Sequence, residues 1–234
     1  MESMAAQLEA ALGANLVGLL AYGAAVRGAA APDPGGIELL LIVRDASADA
    51  LRPAAAAFAR WVKGDHPAPL IFSQAEWRAS ADVFPIEVED MREAHRLLRG
   101  SDPFGGVTTT RADLRFQLER EVRGKLLQLR AEYAAAAADG RRLGVLVEQS
   151  AGTFFVLLRA VLRLAGRTPP AEAEALVAEA AAAAGLDPAV FAWVLARRAG
   201  AKTAALQPFD PVAVRYVDAI EKLAGYVNDV RSET

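Results

Sequence analysis

The fold is decided by two stretches of sequence, Leu19-Leu20-Ala21-Tyr22-Gly23-Ala24-Ala25-Val26-Arg27-Gly28 and Ile37-Glu38-Leu39-Leu40-Leu41-Ile42-Val43. Their apolar runs flank a segment of small residues, prolines and glycines, which predicts two buried strands joined by a turn. Glu38 opens the second run. It is a candidate ligand-binding carboxylate, the alternative being a solvated residue at the start of a strand.

Four segments of the first half predict strands of a sheet, because each is a short apolar run. They are Leu16–Tyr22, Ile37–Val43, Pro69–Ser73 and Val83–Val88. Between the second and third, Ala46–Val62 has apolar residues at helical spacing. Ser73 and Glu76 have the form of a capping box, which predicts a helix over Gln74–Ser80. Strands alternating with helices indicate a sheet covered by helices.

The second half predicts helices only. The Gly/Thr-rich stretch Gly105–Thr110 marks the change, and we place a domain boundary there, between residues 1–107 and 108–234. Thr110 with Asp113 three residues on indicates the start of a long helix, and Asp210 before a proline indicates the start of the last one. Five antiparallel helices of this kind predict an all-α bundle.

The composition excludes several kinds of protein. The 234 residues include no cysteine, which excludes a disulfide framework and a Cys-type zinc site. The 26 basic and 29 acidic side chains nearly balance, so we do not expect a nucleic-acid partner. We expect no apolar run approaching the roughly 20 residues that cross a bilayer. The expectation is a cytoplasmic protein without a membrane partner.

The Gly23 turn and the Glu38 strand resemble the opening of the DNA polymerase beta-like nucleotidyltransferase superfamily. In that superfamily, which includes kanamycin nucleotidyltransferase-like and minimal members, a strand ends in Gly-Ser and the next begins Asp-x-Asp. Two further segments, Asp90–Gly100 and Leu114–Glu121, resemble a helix after the third-carboxylate strand and the first bundle helix of bacterial relatives. The resemblance implies an α+β fold, with a mixed sheet and flanking helices followed by an all-α antiparallel helical bundle.

The same resemblance implies a chemistry, the transfer of a nucleotide from a nucleoside triphosphate. Such transfer uses two Mg²⁺ ions about 3.5–4 Å apart. Carboxylates at positions i and i+2 of a strand point to one face and hold these ions, together with a third carboxylate on a neighbouring strand. The glycine turn presents backbone N–H groups and a hydroxyl to the triphosphate.

Mapped residue by residue, the metal-binding part of this pattern is incomplete. The carboxylate pair falls on Gly36 and Glu38, so one ligand is missing and the other is a glutamate. The third carboxylate falls on the predicted strand Phe84–Glu89, where Glu87 is the first candidate and Glu89, on the same strand face, the second. A single Mg²⁺ between Glu38 and Glu87 is the most that this set is expected to hold.

The nucleotide-binding part of the pattern is also altered. Gly23 stands at the position of the family's glycine, but Ala24 replaces the serine and lacks its hydroxyl. Arg27 is a candidate for two hydrogen bonds to a phosphate, the alternative being an exposed turn arginine. Asp33 is either a substitute metal ligand or a cap of its own turn.

Other polar residues receive structural interpretations. His66 and His95 are expected on the surface, because neither has a partner at metal-ligand spacing. Glu148, Gln149 and Ser150 lie in an apolar helix, where a satisfied buried network is expected in preference to a substrate site.

These departures favour a nucleotidyltransferase-fold protein with a degenerate metal site and lost or reduced catalysis. Such a protein would bind a nucleotide-like ligand, such as a nucleoside triphosphate, or a protein partner. One alternative is an active enzyme that transfers a nucleotide to a small molecule or a protein. Another is an oligomerising or antitoxin-like protein, a homo-oligomer included, that acts through the helical bundle.

Overall fold

The computed structural model describes residues 1–23, 25–27 and 37–230. Its contacts divide the chain into two compact units, Met1–Thr109 and Thr110–Thr234. We call them the sheet unit and the helical unit. The strands of the sheet unit are β1 (Leu16–Tyr22), β2 (Glu38–Val43), β3 (Leu70–Ser73) and β4 (His95–Gly100). Its α-helices are α1 (Glu2–Leu12), α2 (Ala48–Leu51), α3 (Ala55–Lys63), α4 (Gln74–Ala79) and α5 (Pro85–Glu93).

The described strands form one mixed sheet in the order β3-β2-β1-β4. β1 is antiparallel to both β2 and β4, whereas β2 and β3 are parallel. The central strands β1 and β2 are apolar between their polar ends at Tyr22 and Glu38, because both faces of the sheet are covered there. On one face Leu19, Leu39 and Leu41 pack with α1 and α3. On the other face Leu20 and Leu40 pack with α4 and α5.

Three of the four predicted strands are confirmed, and the fourth is wrong. Residues 83–88 are not a strand, because they lead into α5, in which Val88 and Met91 are buried at helical spacing. Pro85 at the first turn supplies the φ angle that a helix needs there. The helix expected over Asp90–Gly100 is wrong for its second part, which forms the edge strand β4.

The predicted helices of the sheet unit are largely confirmed. The capping box forms as expected, because Ser73 accepts from the backbone N–H of Glu76 while the Glu76 carboxylate accepts from the N–H of Ser73. The segment Ala46–Val62 is helical but not continuous. It is interrupted by a 3₁₀ turn at Arg52–Ala54, because Pro53 lacks the N–H that an uninterrupted α-helix would use.

The helical unit contains five α-helices within its described residues. They are α6 (Arg111–Ala136), α7 (Gly140–Leu164), α8 (Ala173–Ala184), α9 (Ala192–Arg198) and α10 (Pro211–Asp229). Thr110 caps α6 by accepting from the N–H of Asp113, and Asp210 caps α10 in the same way through Val212. The sequence therefore located both helix starts through their capping residues.

The central helix α7 corrects the expectation that no segment is long and apolar enough to cross a bilayer. It spans 25 residues, and its most apolar window of 18 residues has a mean hydropathy of 1.5. Of that window 56% is buried within the protein. Leu143, Phe154, Leu158 and Val161 are among its buried residues, which is the pattern of a core helix.

Candidate functional site

The candidate site lies where β1 ends beside the start of β2. Tyr22 is opposite Glu38 on β2 and opposite His95 on β4 in the strand register. Directly paired residues of neighbouring strands project to the same face of a sheet. The three side chains therefore share one end of the sheet, on the face that α5 covers.

Helix α5 brings further carboxylates to this end of the sheet. Glu87 lies in its first turn, and Asp90 follows one turn later on the same helix face. The sequence expectation that Glu87 sits on a strand is therefore wrong, because Glu87 belongs to the helix that covers this face of the sheet.

Burial and nearby acidic residues both act on the pKa of Tyr22. Burial raises the pKa above the ordinary value for tyrosine, and three carboxylates raise it further. In order of effect they belong to Glu38, Glu87 and Asp90. A negative charge opposes the ionisation of a phenol, and it does so more strongly where burial excludes water. We call Tyr22 and these three acidic residues the carboxylate cluster.

The turn that follows β1 begins at Gly23, and we call it the Gly23 turn. Gly23 approaches the Glu38 side chain of the carboxylate cluster. Gly23 has a φ of +78°, a conformation that favours glycine. A Cβ atom at this position would collide with the carboxylate of Glu38. The glycine is therefore favoured by its backbone conformation, and a larger residue would also displace the Glu38 carboxylate from its present position. The other candidates of this segment, Ala24, Asp33 and Gly36, lie outside the described residues.

Arg27 is buried, so the alternative of an exposed turn arginine is wrong. Only 4% of its side chain is exposed. Its Nη2 atom lies 2.8 Å from a carboxylate oxygen of Asp90, and Nη1 lies 2.9 Å from Glu93. Nη2 also donates to the backbone carbonyl of Asp90. In this arrangement the guanidinium is held by α5.

Glu89 lies away from the carboxylate cluster. In a helix, positions i and i+2 are about 200° apart, so Glu89 and Glu87 do not share a face. The Glu89 carboxylate accepts a hydrogen bond of 2.7 Å from the Thr109 hydroxyl and lies 3.3 Å from Nε of Arg92. The expectation that Glu89 and Glu87 point the same way is wrong, because it assumed a strand.

Both histidines have structural partners, which corrects their interpretation as surface residues. His66 stacks on Trp61 and accepts a hydrogen bond at Nδ1 from the N–H of Ile37, directly before Glu38. His95 places Nδ1 at 2.9 Å from the carbonyl of Met91 and Nε2 at 3.2 Å from Asp102. Sequence spacing missed the hydrogen bond between Ile37 and His66 because these residues are 29 positions apart.

The residue set does not fit a pair of metal ions. Among residues 1–23, 25–27 and 37–230, no three histidine or acidic side chains are arranged to hold a metal ion. Of the three acidic residues of the carboxylate cluster, Asp90 is ion-paired with Arg27, as described above. The described residues therefore offer no set of carboxylates for the two ions that nucleotidyl transfer uses.

The polar residues predicted in α7 separate into different roles. Glu148 forms a 3.0 Å ion pair with Arg197, and the Ser150 hydroxyl lies 3.1 Å from the hydroxyl of Tyr216. Gln149 is exposed. The expected buried network is therefore limited to the Ser150–Tyr216 pair, because only Ser150 faces the core of the helical unit.

Comparisons with known proteins give support at the level of the fold. No protein-family model matches the chain, and no curated protein matches it. A solved structure that it resembles is the spectinomycin adenyltransferase of Enterococcus faecialis with ATP and spectinomycin. The two share 12% identity and a TM-score of 0.56, and the match covers 96% of each chain. At this identity the likeness shows the fold alone, and the chain has a nucleotidyltransferase-like α+β fold followed by a helical region.

Proposed function

We propose that this protein binds a nucleotide-like ligand at the carboxylate cluster and has lost or greatly reduced nucleotidyl transfer. The observation that carries the proposal is the pairing of Tyr22 with Glu38 in the strand register, where the Glu38 carboxylate approaches Gly23. Glu87 lies in the first turn of α5, the helix that covers this face of the sheet. The fold shared with an adenyltransferase that was solved with ATP adds support.

The reduced catalysis follows from the missing groups. Glycine at position 36 supplies no carboxylate, and alanine at position 24 supplies no hydroxyl. The most that Glu38 and Glu87 would hold is a single divalent ion. A triphosphate would still bind next to the Gly23 turn, because contacts with the backbone do not depend on the lost side chains.

The charge of the cluster sets a condition on the ligand. Asp90 is ion-paired with Arg27, but Glu38 and Glu87 add negative charge that repels the phosphates of a free nucleotide. A nucleotide that brings its own Mg²⁺ carries less negative charge. We therefore expect binding of the magnesium complex and little binding of the nucleotide in a chelator.

A thermal-shift screen tests this function. The four common nucleoside triphosphates would be added with Mg²⁺ or with EDTA, to the wild-type protein and to Glu38→Gln, Glu87→Gln and Glu89→Gln. We expect at least one triphosphate to raise the melting temperature with Mg²⁺ only. The first two substitutions should abolish the increase. Glu89→Gln removes a charge from the same helix outside the cluster and should preserve it. If no triphosphate raised the melting temperature of the wild-type protein, the proposal would be contradicted.

The second candidate function is an active transferase that adds a nucleotide to a small molecule or a protein. It is favoured by the same two carboxylates lying next to one ionisable hydroxyl, since acidic side chains also act as general bases. Transfer of radiolabel from an α-labelled triphosphate would then depend on Glu38 and Glu87. Absence of transfer with all four nucleotides would eliminate this candidate.

A third candidate is a protein–protein interaction through the helical unit. Phe116 and Leu127 on α6 are 68% and 66% exposed. They are eleven residues apart, which places them on the same side of a helix. Light scattering of the purified protein and of Leu127→Asp tests self-association. A monomer at all concentrations, unchanged by the substitution, would count against a homo-oligomer.

A further inference from the structure

Arg27 joins two parts of the candidate site. It lies in the turn after β1, where the N–H groups of Val26 and Arg27 both donate to the carbonyl of Gly23. Its side chain reaches α5, which follows about sixty residues later in the chain. The turn that carries Gly23 and the helix that carries Glu87 are therefore tied by one side chain.

The contacts of Arg27 use the fork geometry of its guanidinium. Nη1 bonds the Glu93 carboxylate at 2.9 Å, while Nη2 bonds the carboxylate and the carbonyl of Asp90 at 2.8 and 2.9 Å. The side chains of Asp90 and Glu93 are only 13% and 27% exposed. A lysine has a single charged nitrogen and cannot reproduce this bidentate arrangement.

The position of Asp90 gives these bonds a consequence for the candidate site. Asp90 is one helical turn after Glu87, so fixing Asp90 against the turn also fixes the side of α5 from which Glu87 projects. The three neighbouring carboxylates repel one another, and the cation at Asp90 opposes the outward movement of α5.

We propose that Arg27 is a positioning residue, which clamps α5 to the Gly23 turn and thereby sets the distance of Glu87 from Glu38 across Tyr22. This role rests on the proposed ligand site and differs from the phosphate contact that the sequence suggested for Arg27. A phosphate-binding arginine acts only when ligand is present. A clamp acts in the protein without ligand, so the two roles can be separated.

The test observes Tyr22 directly in the absence of ligand. The chain has four tyrosines, so ring-labelled tyrosine gives four sets of NMR signals, and Tyr22→Phe identifies those of Tyr22. We expect Arg27→Gln to shift the Tyr22 signals by several line widths and Arg27→Lys to shift them less. Glu93→Gln, which removes one arm of the clamp, provides a milder variant if Arg27→Gln does not fold.

The matched control is Arg99→Gln. Arg99 bonds two carboxylates of a helix, Glu2 and Glu9 of α1, but it belongs to β4 and lies away from the carboxylate cluster. Its substitution should leave the Tyr22 signals in place. Nucleotide affinity should then fall in the order of the Tyr22 shifts, more in Arg27→Gln than in Arg27→Lys.

Unchanged Tyr22 signals in Arg27→Gln and Glu93→Gln would overturn the clamp. If nucleotide affinity nevertheless fell in Arg27→Gln, Arg27 would be a phosphate ligand instead. If the signals shift as expected but no nucleotide binds to the wild type, the clamp stands and the proposed function fails.

Discussion

Two buried tyrosines, one in each unit, show how differently the same residue type is used. Tyr216 on α10 is fully buried, with the rings of Phe154 and Phe191 against it at edge-to-face angles. Its hydroxyl is paired with that of Ser150. Tyr22 on β1 is partly buried, and its hydroxyl is surrounded by carboxylates.

The pKa of each tyrosine is raised, but the causes differ. For Tyr216 burial raises the pKa, and the hydrogen bond with Ser150 opposes the increase. For Tyr22 burial is joined by the charges of Glu38, Glu87 and Asp90. Apolar packing around Tyr216 stabilises the fold, whereas the acidic residues near Tyr22 repel one another. The comparison therefore separates a core residue from a residue of the candidate site.

The largest expected effect is the loss of stability when the buried Tyr216 side chain is removed. Tyr216→Ala removes a fully buried aromatic side chain and should lower the free energy of unfolding of the helical unit by about 3–5 kcal/mol. Tyr22→Ala should cost less, because Tyr22 is only partly buried. Urea unfolding measures both, since Trp193 reports on the helical unit and Trp61 and Trp77 on the sheet unit. Equal losses of unfolding free energy in the two variants would contradict the distinction between the buried Tyr216 and the partly buried Tyr22.

The next effect concerns the ion pairs beside Tyr22. Arg27→Gln removes the cation that pairs with Asp90, whose side chain is only 13% exposed, so we expect a loss of about 3 kcal/mol. Arg99→Gln breaks two ion pairs whose acidic partners are more than half exposed, and such pairs contribute roughly 0–1 kcal/mol. Chemical denaturation of both variants provides the measurement. Similar losses of unfolding free energy in Arg27→Gln and Arg99→Gln would mean that the ion pairs of Arg27 contribute no more than those of Arg99.

A smaller effect isolates the hydrogen bond of the core tyrosine. Ser150→Ala leaves the buried Tyr216 hydroxyl unsatisfied and should cost about 1–2 kcal/mol. Tyr216→Phe removes the hydroxyl itself, so Ser150→Ala should cost less in that background. Unfolding free energies of the two single variants and the double variant give the coupling. If the losses of the two single variants simply added up in the double variant, the hydrogen bond between Ser150 and Tyr216 would be contradicted.

The smallest effect appears at alkaline pH. Because the folded pKa of Tyr216 is raised above the ordinary value of 10.0, its contribution to stability is present below pH 10 and lost as pH rises above it. At pH 11 the loss should be about 1.4 kcal/mol. Tyr216→Phe should lose correspondingly less between pH 9 and 11 in unfolding followed at Trp193. An identical pH profile in this variant would contradict the raised pKa.

Much of the fold was readable from local sequence signals. β1, β2 and β3 are apolar runs bounded by breakers, and the starts of α4 and α6 carry capping residues that accept from the backbone as expected. The segment Pro85–Glu93 was misread because apolar and acidic residues alternate in it, which fits a strand as well as a helix. Met91 one turn after Val88 was the signal for a helix.

The candidate site was only partly predictable. Glu38 and Glu87 followed from the resemblance, but Tyr22 and Asp90 did not, because only the strand register and the packing of α5 bring them together. The adjacency of Tyr22 to the glycine of the turn was an available signal. The sequence suggests a phosphate contact for Arg27. Its partners Asp90 and Glu93 are missed because they are distant in the sequence.

A crystal structure of the protein soaked with Mg²⁺ and the triphosphate selected by the thermal-shift screen tests the central claim most directly. We predict the nucleotide beside Gly23 and Tyr22, with at most one cation, bound between Glu38 and Glu87. A pair of fully ligated cations at this end of the sheet, or a nucleotide bound elsewhere on the chain, would contradict the account.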